Sequence, residues 1–312
     1  MDAENVVINL NKTENISSQR AVTKVKRLFS AGKAGHAGTL DPIATGVLII
    51  CLNEATKFTR FLSDLDKEYL VRLKLGEKTD TYDSTGRILK KTDYTFLKEI
   101  DIRKTLDQFT GQVKQIPPMY SAVKMNGQPL YKLARKGIEI NRPERTVNIY
   151  KMEIVYFAMP YVDFRISCSK GTYIRTLCDD VGNALGVGAH MVSLVRTKVG
   201  IFRIENSASI EDLKCRKDSI YSIDSAISHL REVILDEDSY YKARNGMPVV
   251  SPWLDREGFE RSEGWVSCKN VNFNQYVRLK SPDNILFGIG KIKKNKNNYD
   301  DIIEIERLLR TL

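Results

Sequence analysis

Residues 35–52 read GHAGTLDPIATGVLIICL, and their second half sets the fold. Val47 to Leu52 is an unbroken apolar run rich in branched side chains. A strand with one wet face alternates polar and apolar residues, whereas a run without polar gaps reads as a buried central strand. The first half is a loop of small residues around one carboxylate, Asp41, and one imidazole, His36. On its N-terminal side Val22, Val25 and Leu28/Phe29 recur at helical spacing, with Ser18 as the expected N-cap. On its C-terminal side NEATKFTRFL turns helical, with Ala55, Phe58 and Phe61/Leu62 on one face.

Further along, the periods keep changing. EYLVRLKLG alternates, with Tyr69, Val71, Leu73 and Leu75 on one side, and predicts a half-buried strand. DSTGR carries turn chemistry, and Phe96 to Phe109 predicts a helix. TVNIYKMEIVYF and YVDFRISCS predict two strands. TYIRTLCDDVGNALG predicts a helix with Ile174, Leu177, Val181 and Leu185 inward and Gly186 as its stop. Residues 189–204 are strand-like again. The regular βαβ rhythm of a parallel sheet is missing, which favours an α+β fold around a mainly antiparallel, mixed sheet. Residues 115–145 are broken by Pro117, Pro118, Asn126-Gly127, Pro129 and Pro143, and basic and aromatic residues alternate. They predict a long excursion with a short helix near Leu130 to Lys136, and ordered excursions of this kind often bind ligands. From about residue 236 the texture shifts to short strands and turns. Residues 1–235 are therefore expected to form one domain and 236–312 a small β-rich one. The final DIIEIERLLRTL reads as either a helix or a closing strand.

Composition narrows the function. No run approaches the ~18 apolar residues of a membrane span, and the N-terminus has neither signal nor transit character. A cytoplasmic protein is expected. Cysteines stand at 51, 168, 178, 215 and 268, odd in number and without C-x-x-C, so reduced thiols are expected. The net charge of +10 suits a polyanionic partner without proving one. Arg20, Lys24, Lys26, Arg27 and Lys33 fall in a stretch free of acids, and a second basic segment runs from Lys124 to Lys151. These segments are either a phosphate-binding footprint or two solvated faces.

Most familiar chemistries fail on spacing. AGKAGHAGT has glycines in the wrong order for a phosphate loop, and GNALGVG ends a helix instead of opening one. His36, His190 and His229 are the only histidines, and none pairs with another at ligand spacing, so neither a metal nor a cofactor is expected. Spacing does not rule out hydrolysis by two carboxylates, but no second acid stands near Asp41 in the sequence. What remains is Asp41 as a lone nucleophile toward carbon. Such a carboxylate must be ionised, positioned and shielded from water, and a neighbouring guanidinium serves the first two needs.

GHAGTLDPIATGVL resembles the signature of the TruB-type tRNA pseudouridine synthases, whose usual form is close to G-H-T-G-T-L-D-P-x-A-T-G-V-L. EATK, DKEYLV, LGEKTDTYDSTG, QIPPMYSAVKMNGQPLYKLARKGIE, CSKGTYIRTLCDDVG and GAHMVSLVRTKVGIF follow in the family's order and at about its spacing, from Val7 to Glu205. Two departures stand out. The family's opening D-K-P-x-G turn is NKTEN here, with Lys12 kept, Thr13 for proline and Asn15 for glycine, and Ala37 replaces a common threonine. Asparagine tolerates left-handed backbone, so the turn is expected to survive.

The resemblance implies a pseudouridine synthase domain followed by a PUA-like RNA-binding domain. It implies conversion of uridine 55 in the tRNA T loop to pseudouridine, without cofactor. Asp41 would be the nucleophile, Tyr69 the surface against the target base, and Arg175 the partner of Asp41. His36 would occupy the space left by a flipped base, and Gly38 would let the backbone approach RNA. Lys12 and Lys57, the second matching a family lysine near the site, would contact the RNA. The excursion, with Tyr120, Lys124, Arg135 and Lys136, resembles the family's RNA-gripping thumb. The partner would be the T arm of tRNA, with no membrane and no obligate protein partner, and a monomer is expected. Two other readings follow from the same scaffold: a guide-RNA-dependent synthase, and a tRNA-folding chaperone, with or without catalysis. The compact chain and its motifs are closer to the stand-alone bacterial type.

Overall fold

In the computed structural model, which describes residues 5–121, 123–125, 127–251, 275–293 and 301–310, the apolar run becomes strand β3 (Thr45–Leu52). Leu48, Ile50 and Leu52 enter one core, and Val47, Ile49 and Cys51 enter another on the opposite face. With both faces covered, no position of the strand tolerates a polar gap.

The sheet has ten strands. Its main path runs β10 (Ile220–Ser222), β1 (Val6–Lys12), β3, β8 (Ala189–Val199), β4 (Lys67–Leu75), β7 (Tyr161–Cys168), β6 (Arg145–Ala158) and β5 (Gly111–Gln115). The short strands β2 (Ala34–His36) and β9 (Phe202–Arg203) pair with β3 and β8. Among these strands β3 and β8 alone run parallel, and Arg196 pairs with Gly46 there. On its other side β8 runs antiparallel to β4, with Arg196 opposite Tyr69. The mixed, mainly antiparallel sheet expected from the sequence is present.

Helices α1 (Ser18–Leu28), α3 (Glu99–Gln108) and α5 (Ile174–Ala184) cover one face through Val22 and Val25, Ile102 and Leu106, and Ile174, Leu177 and Val181. Ala55, Phe58, Phe61 and Leu62 cover the other. They lie on a 3₁₀ turn, Asn53–Phe58, that runs into α2 (Thr59–Ser63). Three local details differ from expectation. Ser17, not Ser18, caps α1, because Ser18 Oγ is turned inward to the Leu40 main chain. The helix expected from Phe96 starts only at Glu99, after a turn closed by Leu97 N–H donating to the Tyr94 carbonyl. Within the excursion the expected short helix, α4 (Leu130–Ala134), ends two residues before Lys136.

A second, five-stranded sheet has the order β11 (Arg231–Ile234), β13 (Tyr276–Lys280), β14 (Leu286–Lys293), β15 (Asp301–Leu308) and β12 (Val249–Ser251). Its first strand precedes residue 236, because Arg231 to Ile234 pair in parallel with Val277 to Lys280. The C-terminal DIIEIERL is its strand β15, which decides between the two readings of that segment. The short strands expected in 252–274, and Cys268, lie outside the described residues. The two sheets meet where Phe61 packs edge-on to Tyr276 at 5.2 Å and Arg60 pairs with Glu306 at 2.8 Å. No described helix is long and apolar enough to cross a membrane.

Gly182 sets how closely α5 lies on β8: a Cβ there would stand 2.1 Å from the Ala189 nitrogen. Gly182→Ala therefore forces α5 away from the sheet. It should lower stability by about 1–3 kcal/mol, the usual penalty of overpacking, seen as a lower urea midpoint at unchanged slope.

Candidate active site

The loop between β2 and β3 carries Asp41, and neighbouring elements fix that loop. Ser18 Oγ donates to the Leu40 carbonyl and accepts from the Leu40 N–H, both at 2.8 Å. Asn15 takes a positive φ of 64° and donates its N–H to the Pro42 carbonyl at 2.9 Å. Asparagine thus does the work expected of the family glycine, and the turn survives.

Lys12 lies beneath this turn with no exposed surface. Its Nζ donates to the carbonyls of Thr13, Ile16 and Pro42 at 2.9, 3.0 and 3.4 Å. Burial pulls its pKa down to about 8, against the pull of Asp41. The sequence suggested an RNA-contacting lysine; the structure places Lys12 as an internal strut.

Arg175 projects from the first turn of α5. Its Nε meets Asp41 Oδ2 at 2.8 Å and its Nη2 meets Asp41 Oδ1 at 3.1 Å, a two-point grip that fixes both oxygens. The arginine side chain is 6% exposed and the Asp41 side chain 33%, so the carboxylate is held from behind and open in front. The rest of the guanidinium is also engaged. Nη2 donates to the Tyr120 carbonyl at 2.7 Å and Nη1 to the Thr81 carbonyl at 3.3 Å. Asp83 Oδ2 lies 3.6 Å from Nη1. Asp83 is in turn fixed by Thr81 Oγ1, Thr85 Oγ1 and the Thr85 N–H at 2.7, 2.6 and 3.0 Å. Sequence reading passed over Asp83 as turn chemistry; its only signal was its place inside the LGEKTDTYDSTG block.

Tyr69 stands on β4, 8% exposed, and burial raises its pKa while Arg196 pulls the other way. His36 is half-buried, and burial with the nearby Arg196 lowers its pKa, favouring the neutral imidazole. Gly38 takes φ +106°, a backbone that side chains rarely adopt, and its carbonyl accepts from Arg196 Nη2 at 3.1 Å. Lys67, named only within DKEYLV, is buried too; its Nζ donates to the Ser63 carbonyl at 2.6 Å and to that of Leu65, and burial lowers its pKa to about 8.

The remaining residues lie elsewhere. Lys57 Nζ is engaged by Glu54 at 2.5 Å and by the Leu308 carbonyl at 2.8 Å, so it clips the 3₁₀ turn to the second sheet. Tyr120 reaches the site through its main chain, while its side chain is partly exposed. Arg135 and Lys136 are exposed at the end of α4, with Arg135 over the Tyr131 ring at 5.7 Å. The Lys124 backbone forms a two-residue strand, and its side chain lies outside the described residues. Among the described residues no cluster of His, Cys, Asp and Glu could hold a metal ion.

Profiles of the TruB family pseudouridylate synthase N-terminal domain and of the tRNA pseudouridylate synthase B C-terminal domain match residues 26–174 and 175–241. The chain belongs to the TruB family of pseudouridine synthases. It is 47% identical over 247 residues to tRNA pseudouridine synthase B of Clostridium tetani, covering 78% of this chain and 86% of that one. It is 40% identical over 306 residues to tRNA pseudouridine synthase B of Haemophilus influenzae, covering 97% and 94%. Among solved structures it is similar to one from a Cbf5-Nop10-Gar1 complex, with a TM-score of 0.73 and 26% identity over 98% of this chain and 85% of that one.

Lys12 gives the site a pH signature. Its folded pKa of about 8 lies below the ordinary 10.5, so the folded chain holds this proton less tightly than the unfolded chain does. Between those values unfolding takes up a proton, and stability contributed by Lys12 rises with pH. The stability difference between wild type and Lys12→Met, from urea titrations at several pH values, should grow in favour of wild type from about pH 8 to 10.5.

Proposed function

We propose that this chain isomerises uridine 55 in the T loop of tRNA to pseudouridine, with Asp41 as nucleophile and without a cofactor. The observation that carries the reading is the grip of Arg175 on an Asp41 carboxylate that is still one-third open. The reaction breaks the bond from N1 to C1′, turns the base, and joins C1′ to C5. The C5 proton leaves and N1 gains one, so the product is an isomer and nothing is oxidised. Such chemistry asks for one positioned carboxylate that bonds covalently to the substrate and is later released. It also asks for positive charge where the detached base becomes anionic, and for fixed dipoles that need no reorganisation. Asp41 answers the first demand, and the second is answered by buried Arg196, which acts on Tyr69, and by Lys67, two residues before Tyr69 on β4.

The target base is stacked in the T loop and has to be flipped to reach Asp41. Tyr69 offers a stacking face, worth about 1–3 kcal/mol for a base. His36, neutral and half-buried on β2, fills the gap left behind. The thumb, with Tyr120, Lys124, Arg135 and Lys136, grips the RNA, and the second sheet adds a PUA-like contact. The protein works as a cytoplasmic monomer, with no guide RNA.

An unmodified tRNA and a T-arm minihelix, incubated with wild type or Asp41→Asn and no guide RNA, test the reading. Pseudouridine should form at one T-loop uridine with wild type only. A folded wild type that binds tRNA but makes no product would move the function to guided modification or RNA folding. Asp83→Asn removes the carboxylate charge 3.6 Å from the buried Arg175 guanidinium and should slow single-turnover conversion by roughly 10–100-fold, the scale of losing one partner of a buried ion pair. Its tRNA affinity, from filter binding, should stay at the wild-type value.

A further inference from the structure

Arg196 heads the fully buried side chains by volume, with 1% of its surface exposed. Burying a cation is expensive unless its charge is met. Here it is met by carbonyl dipoles: Nε donates to Val47 at 2.7 Å, Nη2 to Gly38 at 3.1 Å and Nη1 to Thr39 at 3.5 Å. Those carbonyls belong to the loop that carries Asp41 and to the strand that follows it.

The sheet gives the same residue a second neighbour. β8 lies between β3 and β4, and Arg196 pairs with Gly46 on one side and Tyr69 on the other. Residues directly opposite on antiparallel strands hold their Cβ atoms about 5 Å apart on one face, so guanidinium and phenol share a corner. Two glycines lie against this residue, Gly38 at its side chain and Gly46 at its main chain. A Cβ on Gly38 would stand 3.6 Å from Arg196 Nη1, and a Cβ on Gly46 2.3 Å from the Arg196 carbonyl. Arg196 also heads the groups that offset the effect of burial on Tyr69.

We propose that Arg196 is a positioning residue whose guanidinium locks the Tyr69 phenol and the Gly38–Asp41 loop into one rigid unit. The stacking surface and the nucleophile thereby keep their spacing while the detached base turns between them. The inference rests on the pseudouridylation reading.

Arg196→Lys keeps the charge and loses the fork. It should fold and bind the T-arm minihelix within about threefold of wild type, yet convert it about 100-fold more slowly, the scale of a small misplacement of reacting groups. A double-mutant cycle with Tyr69→Phe separates positioning from mere support. Tyr69→Phe should cost more than about tenfold in wild type but less than about threefold in Arg196→Lys, because coupled residues lose their effect together. Losses that multiply, or an Arg196→Lys rate within threefold of wild type, overturn the proposal. Should Arg196→Lys not fold, wild type and Tyr69→Phe labelled with ¹⁵N-arginine carry the test. The Arg196 Nε–H resonance should shift and exchange faster in Tyr69→Phe, and an unchanged resonance overturns the proposal. This readout needs no turnover. Absence of product from wild type would therefore sink the functional reading, while the Arg196–Tyr69 link would still be measured separately.

Discussion

Main-chain carbonyls around the site turn inward, and buried cations take the place of the strand or helix that would otherwise satisfy them. Lys12 bonds those of Thr13, Ile16 and Pro42. Arg196 bonds those of Gly38, Thr39 and Val47, and Arg175 those of Thr81 and Tyr120. A buried carbonyl left unpaired would be costly, and so would a buried cation. Placed together, each offsets part of the other's penalty. The irregular loop before β3 is thereby tied to the sheet it feeds, and the site gains positive charge without a metal-binding cluster among the described residues. Preorganised charge of this kind is most effective where water is excluded.

Much of the fold was legible because it follows from periodicity. The unbroken run of β3, the alternation of β4 and the helical stripe of α5 each mirror their surroundings: two buried faces, one buried face, one buried stripe. What escaped was settled by single contacts. Ser17 caps α1 only because Ser18 Oγ is committed to Leu40, a contact 22 residues away. The C-terminal segment carries both a helical and an alternating apolar pattern, and the pairing of Val249 to Ser251 with Asp301 to Ile303 decides for the strand.

The site divides the same way. Asp41, Tyr69 and Arg175 could be named from their motifs, and the Asp41–Arg175 contact bridges 134 residues. Asp83 and Arg196 lie inside two of the family-like blocks, with nothing in their immediate sequence to single them out. DSTG reads as a turn whatever its carboxylate faces, and an arginine in an alternating strand reads as solvent-facing until the strands on both sides are known. Lys12 and Lys57 show the converse. Their motif positions were legible, but a lysine spent on three carbonyls, or on Glu54 and Leu308, supports structure first.

The thumb completes this logic. Gln115, the last residue of β5, exchanges two hydrogen bonds with the main chain of Tyr173, the residue that opens α5. Five residues further on, Tyr120 gives its carbonyl to Arg175 at 2.7 Å. The excursion is therefore bonded at its root to the arginine that holds Asp41. A displacement of 115–121 cannot leave that guanidinium untouched, since Nη2 bridges the Tyr120 carbonyl and Asp41 Oδ1 with the same nitrogen. In this fold the element proposed to grip RNA and the carboxylate proposed to react with it are two ligands of one side chain. On that proposal, holding the substrate and aiming the nucleophile act through the same guanidinium.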